Sequence, residues 1–222
     1  MLDPKSTAVL SIDFQNEYRP SGAYPVEGYD DILARAAAVI AAARMASMPI
    51  VHVQAWVEDD EKADYALLQE NLTDGLRYGV AGSVGAAICE EVAPRPSDPI
   101  IRKNWPSAFR RTALDDVLSR LGIRHLLVLG VWTDSCVRAS VFDAVFAGYR
   151  IWLVKDACGS GTETMHRTAV LDMANRLYGG VVLRAAEAIK AIHGQDHAAW
   201  RCTRPVEFQY RAETIDPLYD AL

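Results

Sequence analysis

The sequence predicts a three-layer α/β fold: a doubly wound sheet of six parallel strands with helices on both faces. Short apolar runs alternate with helix-length stretches along residues 7–192. The strand-like runs are apolar throughout instead of alternating, as strands buried on both faces must be. The chain has 222 residues, 50% of them hydrophobic and 23% charged, which suffices for one full core. Strand–helix alternation builds right-handed crossover units. Such sheets place their clefts at the C-terminal strand ends.

Each element follows from its residues. Thr7 to Asp13 is an apolar run that ends in a carboxylate. Asp31 to Met48 is alanine-rich, with Ile32, Ala36, Val39, Ile40 and Ala43 at helical spacing. Pro49 to Gln54 and Pro99 to Lys103 are the second and third strands. Thr112 to Leu121 reads as a helix with Thr112 at its N-cap and Gly122 as its stop. His125 to Val131 is the most hydrophobic strand, and Asp134 to Ala147 a helix ended by Gly148. Arg150 to Lys155 is the fifth strand, and Glu163 to Tyr178 a helix before Gly179 and Gly180. Val181 to Leu183 is the sixth strand and Ala185 to Ile192 the last helix.

Two segments break the alternation. Residues 55–96 are long and mixed, with an acidic cluster (Glu58, Asp59, Asp60, Glu61) and then several glycines. A loop that long in a compact domain is usually functional, so this one is expected to shape or cap a pocket. Residues 194–222 carry Trp200, Phe208, Tyr210 and Tyr219 with little periodicity. They are expected to pack on the body or on a neighbouring subunit, as an extension of a single domain spanning 1–193.

Composition excludes several function classes. With 29 acidic against 23 basic residues, the net charge of −6 repels phosphate backbones, which argues against nucleic acid. The longest nearly uncharged stretch, Leu126 to Val137, is too short to span a membrane. Residues 1–5 lack the charged-then-apolar order of a signal peptide, so a cytoplasmic location is expected. Cys89, Cys136, Cys158 and Cys202 form no CxxC pair, which points to free thiols and away from a zinc ribbon or dithiol motif. Gly159-Ser-Gly161 lacks the third glycine of a dinucleotide fingerprint, and neither a phosphate-binding G-x-x-x-x-G-K-[ST] nor a G-x-S-x-G elbow occurs. No cofactor is expected.

Chemistry concentrates at strand ends. Asp13 ends the first strand, Lys103 ends the third, and Cys136 follows the fourth in the first turn of the next helix. Singly, each has an ordinary reading as a cap, a solvated charge or a core thiol. Together they suit one task, because a helix N-terminus and a nearby lysine both favour a thiolate, and a carboxylate in reach can take the thiol proton.

These residues lie in three ordered motifs. Asp13-Phe-Gln-Asn-Glu-Tyr18 resembles the D-x-Q-N-[DE]-[FY] motif of the isochorismatase-like hydrolases. Lys103-Asn-Trp-Pro-Ser-Ala-Phe109, with Thr112 and Leu114, is similar to that family's K-x-x-x-[SD]-A-F-x-x-T-x-L segment. Gly130-Val-Trp-Thr-Asp-Ser-Cys-Val137 resembles its G-x-x-T-[DN]-x-C-V nucleophile loop. The resemblance covers about residues 7–184. It implies a six-stranded, Rossmann-like sheet and an Asp13–Lys103–Cys136 triad, with Asp13 as general base and acid, Lys103 as electrostatic partner and Cys136 as nucleophile. It also implies a cis peptide at Val131–Trp132, with the backbone N–H groups of Trp132 and Cys136 as an oxyanion hole.

The presence of Cys136 favours the amide-hydrolysing branch, similar to N-carbamoylsarcosine amidases and nicotinamidases, over the isochorismatases proper. The expectation is a metal-independent cysteine amidohydrolase acting through a thioester on an amide, carbamoyl or ureido C–N bond of a small molecule. The alternatives are a vinyl-ether or ester hydrolase on the same site, and a non-catalytic binding or assembly protein. Nicotinamidases of the family hold a metal through a D-x-H pattern after the second strand. Here no histidine lies between His52 and His125, and His52 reads as core, so no catalytic metal is expected. A homodimer or homotetramer is expected from the resemblance.

Pocket walls are expected from Tyr18, Trp105 and Trp132, with Phe109 as core. Gln15 and Asn16 are candidates to donate to a substrate carbonyl or to brace Asp13. Arg77 and Tyr78 are candidates to hold a carboxylate.

Overall fold

Runs too apolar to face water on either side pair at the centre of a sheet. In the computed structural model, which describes residues 2–58 and 78–222, β1 (Thr7–Ile12) and β2 (Ile50–Ala55) are buried throughout. β4 (His125–Val131) and β5 (Arg150–Gly159) are buried along nearly their whole length. β3 (Ile100–Lys103) alternates between exposed and buried, as an edge strand does. β6 (Val181–Leu183) is followed by a two-residue β7 (Trp200–Arg201). The sheet order is β3-β2-β1-β4-β5-β6-β7, parallel except for the last pair. The six expected parallel strands are all there; the antiparallel β7 is a seventh that sequence reading missed, because two residues carry no periodicity.

Side-chain alternation divides the core in two. Val9, Leu127 and Leu129 face a layer formed by α1 (Tyr29–Met45) and α5 (Ala185–Ile192). Ala8, Leu10, Leu126 and Val128 face the opposite layer: α2 (Leu114–Arg120), α3 (Arg138–Phe146) and α4 (Glu163–Ala174). From β1 the chain runs outward to β2 and β3, then returns to β4 on the other side of β1. The order therefore reverses between β1 and β4, and the crevice opens beyond their C-terminal ends. Gly130 permits the close approach there: its φ is +146°, and a Cβ would lie 2.3 Å from the Ile12 carbonyl oxygen.

Several boundaries shift from their expected places. The stretch from Asp134 is not one helix. A wide π-type turn, Thr133–Val137, comes first, and α3 starts at Arg138. Cys136 thus sits in that turn and not in the first turn of an α-helix. α4 stops at Ala174, short of Tyr178, because the next residue turns to the C-terminal segment. Asn175 Nδ2 donates to the Phe208 carbonyl and Asn175 Oδ1 accepts from the Phe208 N–H, at 2.9 and 2.7 Å. β5 runs four residues past Lys155 to Gly159. Thr112 is not the N-cap of α2, a place held by Ala113, although its hydroxyl accepts from Leu114 N–H at 3.2 Å.

The C-terminal segment packs on the body. Phe208, Tyr219 and Leu222 are buried in the second core, and α6 (Ile215–Asp220) lies against α4. The Lys155 ammonium donates to the Tyr219 carbonyl at 2.6 Å. Among the described residues no helix is long and apolar enough to cross a membrane.

Candidate active site

Asp13 is the residue just past β1, and its φ of +52° puts it in the left-handed region, which Asp tolerates better than most residues. This turn aims the carboxyl inward while the Asp13 N–H still donates to the Val53 carbonyl at 3.0 Å. Lys103 ends β3, two strands away. The strand between them ends in Ala55, paired with Lys103, whose methyl leaves room for the long side chain. Cys136 comes from the turn after β4. Crevice topology thus brings three elements distant in sequence to one point.

The distances are those of a working cluster. Lys103 Nζ lies 2.7 Å from Asp13 Oδ2 and donates to Cys136 Sγ at 3.3 Å. Asp13 and Lys103 are buried, while Cys136 remains partly exposed. The Cys136 thiol and the Ala55 N–H also lie within hydrogen-bonding reach of the Asp13 carboxyl.

Burial raises the Asp13 carboxyl above its ordinary value, against the opposing pull of Lys103. For Lys103, burial works against the charge, but the Asp13 carboxylate and Cys136 outweigh it and keep the ammonium more basic than usual. Burial pushes the Cys136 thiol up to about 11; Lys103 favours the thiolate and Asp13 opposes it. At neutral pH such a cysteine rests as a thiol, with a carboxyl group beside it.

The turn that carries Cys136 is held on all sides. Ser135 and Val137 N–H groups both donate to the Trp132 carbonyl, at 3.0 and 3.1 Å. Ser140 Oγ donates to the Cys136 carbonyl at 2.7 Å and accepts from Ala108 N–H at 2.9 Å. Ser107 Oγ donates to Asp143 Oδ2. The segment after Lys103 is thereby fastened to the helix after Cys136, which explains the Ser-Ala pair in the second motif. Ser160 Oγ donates to Asp134 Oδ1 at 2.7 Å, and Thr133 Oγ1 pairs with His166 Nδ1 at 2.8 Å. The Val131–Trp132 peptide is cis.

The aromatic residues near the motifs make close ring contacts. The Tyr18 ring meets Trp132 edge-on, with centroids 6.4 Å apart and planes at 77°. Gly161 lies under Trp132, where a Cβ would fall 2.6 Å from the ring. Arg110 covers the Trp105 ring at 4.5 Å. Tyr78 donates to the Asn104 carbonyl at 3.3 Å. Arg77 lies outside the described residues.

Gln15 and Asn16 act as braces, one of the two roles expected of them, through side-chain bonds to the surrounding chain. Gln15 Nε2 donates to the Ala55 and Ala86 carbonyls at 3.0 and 2.9 Å, and its Oε1 accepts from Ala55 N–H at 2.8 Å. Asn16 Nδ2 donates to the Val84 carbonyl at 3.1 Å, and its Oδ1 accepts from Arg19 and Cys89. Both pin the returning end of the long segment beside Asp13. Glu17 does the same and was missed as a site residue: buried, its carboxylate accepts from Gly79 N–H at 3.0 Å. Its place inside the first motif was the available signal.

His52 is buried in mid-strand, with Nε2 3.7 Å from Asp98, and the Arg44 guanidinium already holds that carboxylate at 2.8 Å. Among the described residues no group of three His, Cys, Asp or Glu side chains is placed to hold a metal.

Comparison with known proteins agrees with this geometry. The chain is 30% identical to maleamate amidohydrolase of Pseudomonas putida over 181 residues, 81% of this chain and 84% of that one. It is 29% identical to the ureidoacrylate amidohydrolase RutB of Methylobacterium radiotolerans, over 78% of this chain and 74% of that one. The solved N-carbamoylsarcosine amidase of Thermoplasma acidophilum superposes with a TM-score of 0.67 at 27% identity, covering 82% of this chain and 98% of that one. Residues 7–187, which carry all three motifs and the sheet from β1 to β6, match the isochorismatase domain, and the chain belongs to the isochorismatase family.

Proposed function

We propose that this protein is a cysteine amidohydrolase that cleaves a C–N bond of a small amide, carbamoyl or ureido compound, with no resident metal. The observation that carries the reading is the single ammonium of Lys103 in contact with both Asp13 and Cys136. The names of the relatives, two amidohydrolases and an amidase, support the bond type.

The chemistry follows from the three groups. An amide carbonyl is a poor electrophile, so it needs a strong nucleophile and a site for the developing charge. Asp13 takes the Cys136 proton while Lys103 stabilises the thiolate. Sulfur attacks the carbonyl carbon, and the oxyanion rests on the backbone N–H groups of Trp132 and Cys136. Asp13 returns its proton to the nitrogen, the C–N bond breaks, and ammonia or an amine departs. Water then gives a proton to Asp13 and attacks the thioester, releasing the acid and restoring the thiol. Lys103 supplies positive charge at the nucleophile throughout, so no step calls for a metal. The partly exposed Trp132, packed edge-on against the buried Tyr18, offers an apolar contact for the substrate.

The test is ammonia release across a panel of small amides and ureido acids, wild type against Cys136→Ala. Ammonia from any compound, lost in Cys136→Ala, supports the proposal. Turnover that survives the substitution, or cleavage of vinyl ethers or esters alone, overturns it.

A further inference from the structure

We infer that His166 is a positioning residue through which the C-terminal segment holds the nucleophile turn, with Thr133 on one side of the imidazole and Tyr219 on the other. The inference rests on the reading of Cys136 as the nucleophile.

The three side chains form one chain of hydrogen bonds. Thr133 Oγ1 is 2.8 Å from His166 Nδ1, and His166 Nε2 is 3.0 Å from the Tyr219 hydroxyl. All three residues are buried. The His166 and Tyr219 rings meet edge-on, with centroids 5.5 Å apart at 72°. A neutral imidazole has one donor and one acceptor nitrogen. If the Tyr219 hydroxyl donates to Nε2, the Nδ1 proton goes to Thr133; if Nε2 donates, Thr133 must donate to Nδ1. In both arrangements the role of one nitrogen dictates the role of the other, so the two bonds form a unit. Burial keeps the ring neutral by lowering its pKa to about 4.

Both ends of the relay matter by position. Thr133 opens the turn that holds Cys136 and follows Trp132, one of the two proposed oxyanion donors. Tyr219 lies past residue 187, where the family match ends, in α6. It is anchored independently. Its carbonyl accepts from Lys155, whose ammonium lies 4.3 Å from its ring centroid, and neighbouring Asp216 pairs with Arg167 at 2.9 Å. A segment outside the family domain thus reaches a point three residues from the nucleophile.

The experiment uses full-length Tyr219→Phe, Thr133→Val and Thr133→Ser. The first two remove a hydroxyl while keeping shape, and the third keeps the hydroxyl. One readout is the rate of Cys136 alkylation by iodoacetamide, followed by mass spectrometry with Cys136→Ala as the blank. The other is kcat and KM on an amide the wild type turns over. Tyr219→Phe and Thr133→Val are expected to slow alkylation and lower kcat about tenfold with KM within about twofold, while Thr133→Ser stays near wild type. Wild-type alkylation in Tyr219→Phe or in Thr133→Val overturns the inference, even if the melting temperature falls, because a purely structural role moves stability alone. Alkylation needs no substrate, so a wild type that cleaves no amide defeats the proposed function while the alkylation comparison still decides this relay.

Discussion

Lys103 Nζ lies 2.7 Å from Asp13 Oδ2, with both side chains withdrawn from water. Neither charge is tolerable there alone, and the pair is useful only because a third group, Cys136, shares the ammonium. This relationship makes stability and chemistry inseparable at the site.

Lys103→Met leaves the Asp13 carboxylate buried and unpaired. Breaking such a pair is expected to reduce stability by about 3–5 kcal/mol. Adding Asp13→Asn should return part of that loss, since the orphaned charge is gone. Urea unfolding of the single and double variants checks this; a double variant less stable than Lys103→Met would contradict it.

Asp13→Asn alone removes the proton acceptor but preserves the shape. Turnover should fall about 10²–10⁴-fold, the usual contribution of a positioned general base. Steady-state ammonia release measures it, and a loss smaller than about tenfold would deny Asp13 its role.

Cys136 alkylation should climb with pH. The thiol sits at about 11, so its thiolate fraction rises tenfold per pH unit across the neutral range without a plateau near 7. Lys103 favours the thiolate, so in Lys103→Met the same climb should move to higher pH. A rate that levels off near neutrality would contradict the geometry.

Two buried histidines should make the fold acid-sensitive. Burial lowers both His52 and His166 to about 4. The unfolded chain protonates them near pH 6.5, so it binds more protons between those values. Their contribution is fully present above about 6.5 and is lost as pH falls towards about 4, with a slope near 1.4 kcal/mol per pH unit for each. Unfolding free energies at pH 7, 6 and 5 test this, and a flat profile would exclude it.

Gly130→Ala should damage the sheet at the crevice. The added carbon would meet the Ile12 carbonyl at 2.3 Å, and φ of +146° is unfavourable for any side chain. A loss of about 2 kcal/mol or more is expected in thermal or urea unfolding.

Much of the fold was legible because its signals are local. Continuous apolar runs mark β1, β2, β4 and β5 as doubly covered, and alternating side chains sort Val9 from Leu10 into separate cores. Asp13 and Lys103 were legible as candidates because they lie at strand ends, and Cys136 because it lies in the motif that follows β4. What escaped depends on partners far away in sequence. The end of α4 is set by Asn175 bonding Phe208, 33 residues on. The bracing role of Gln15 depends on carbonyls 40 and 71 residues away. Nothing in the helix sequence singles out His166, which the structure sets between Thr133 and Tyr219.

The amino-acid sequence by itself therefore determined the layers and the parallel strands, and singled out Asp13, Lys103 and Cys136 as site candidates, because burial pattern and strand-end position are written in neighbouring residues. Only the tertiary structure decided which of the motif residues are spent on the backbone. It also decided that Cys136 sits in a wide turn and that the C-terminal segment reaches that turn. A hydrogen bond is satisfied by whatever atom lies within about 3 Å, and chain order does not say which atom that is.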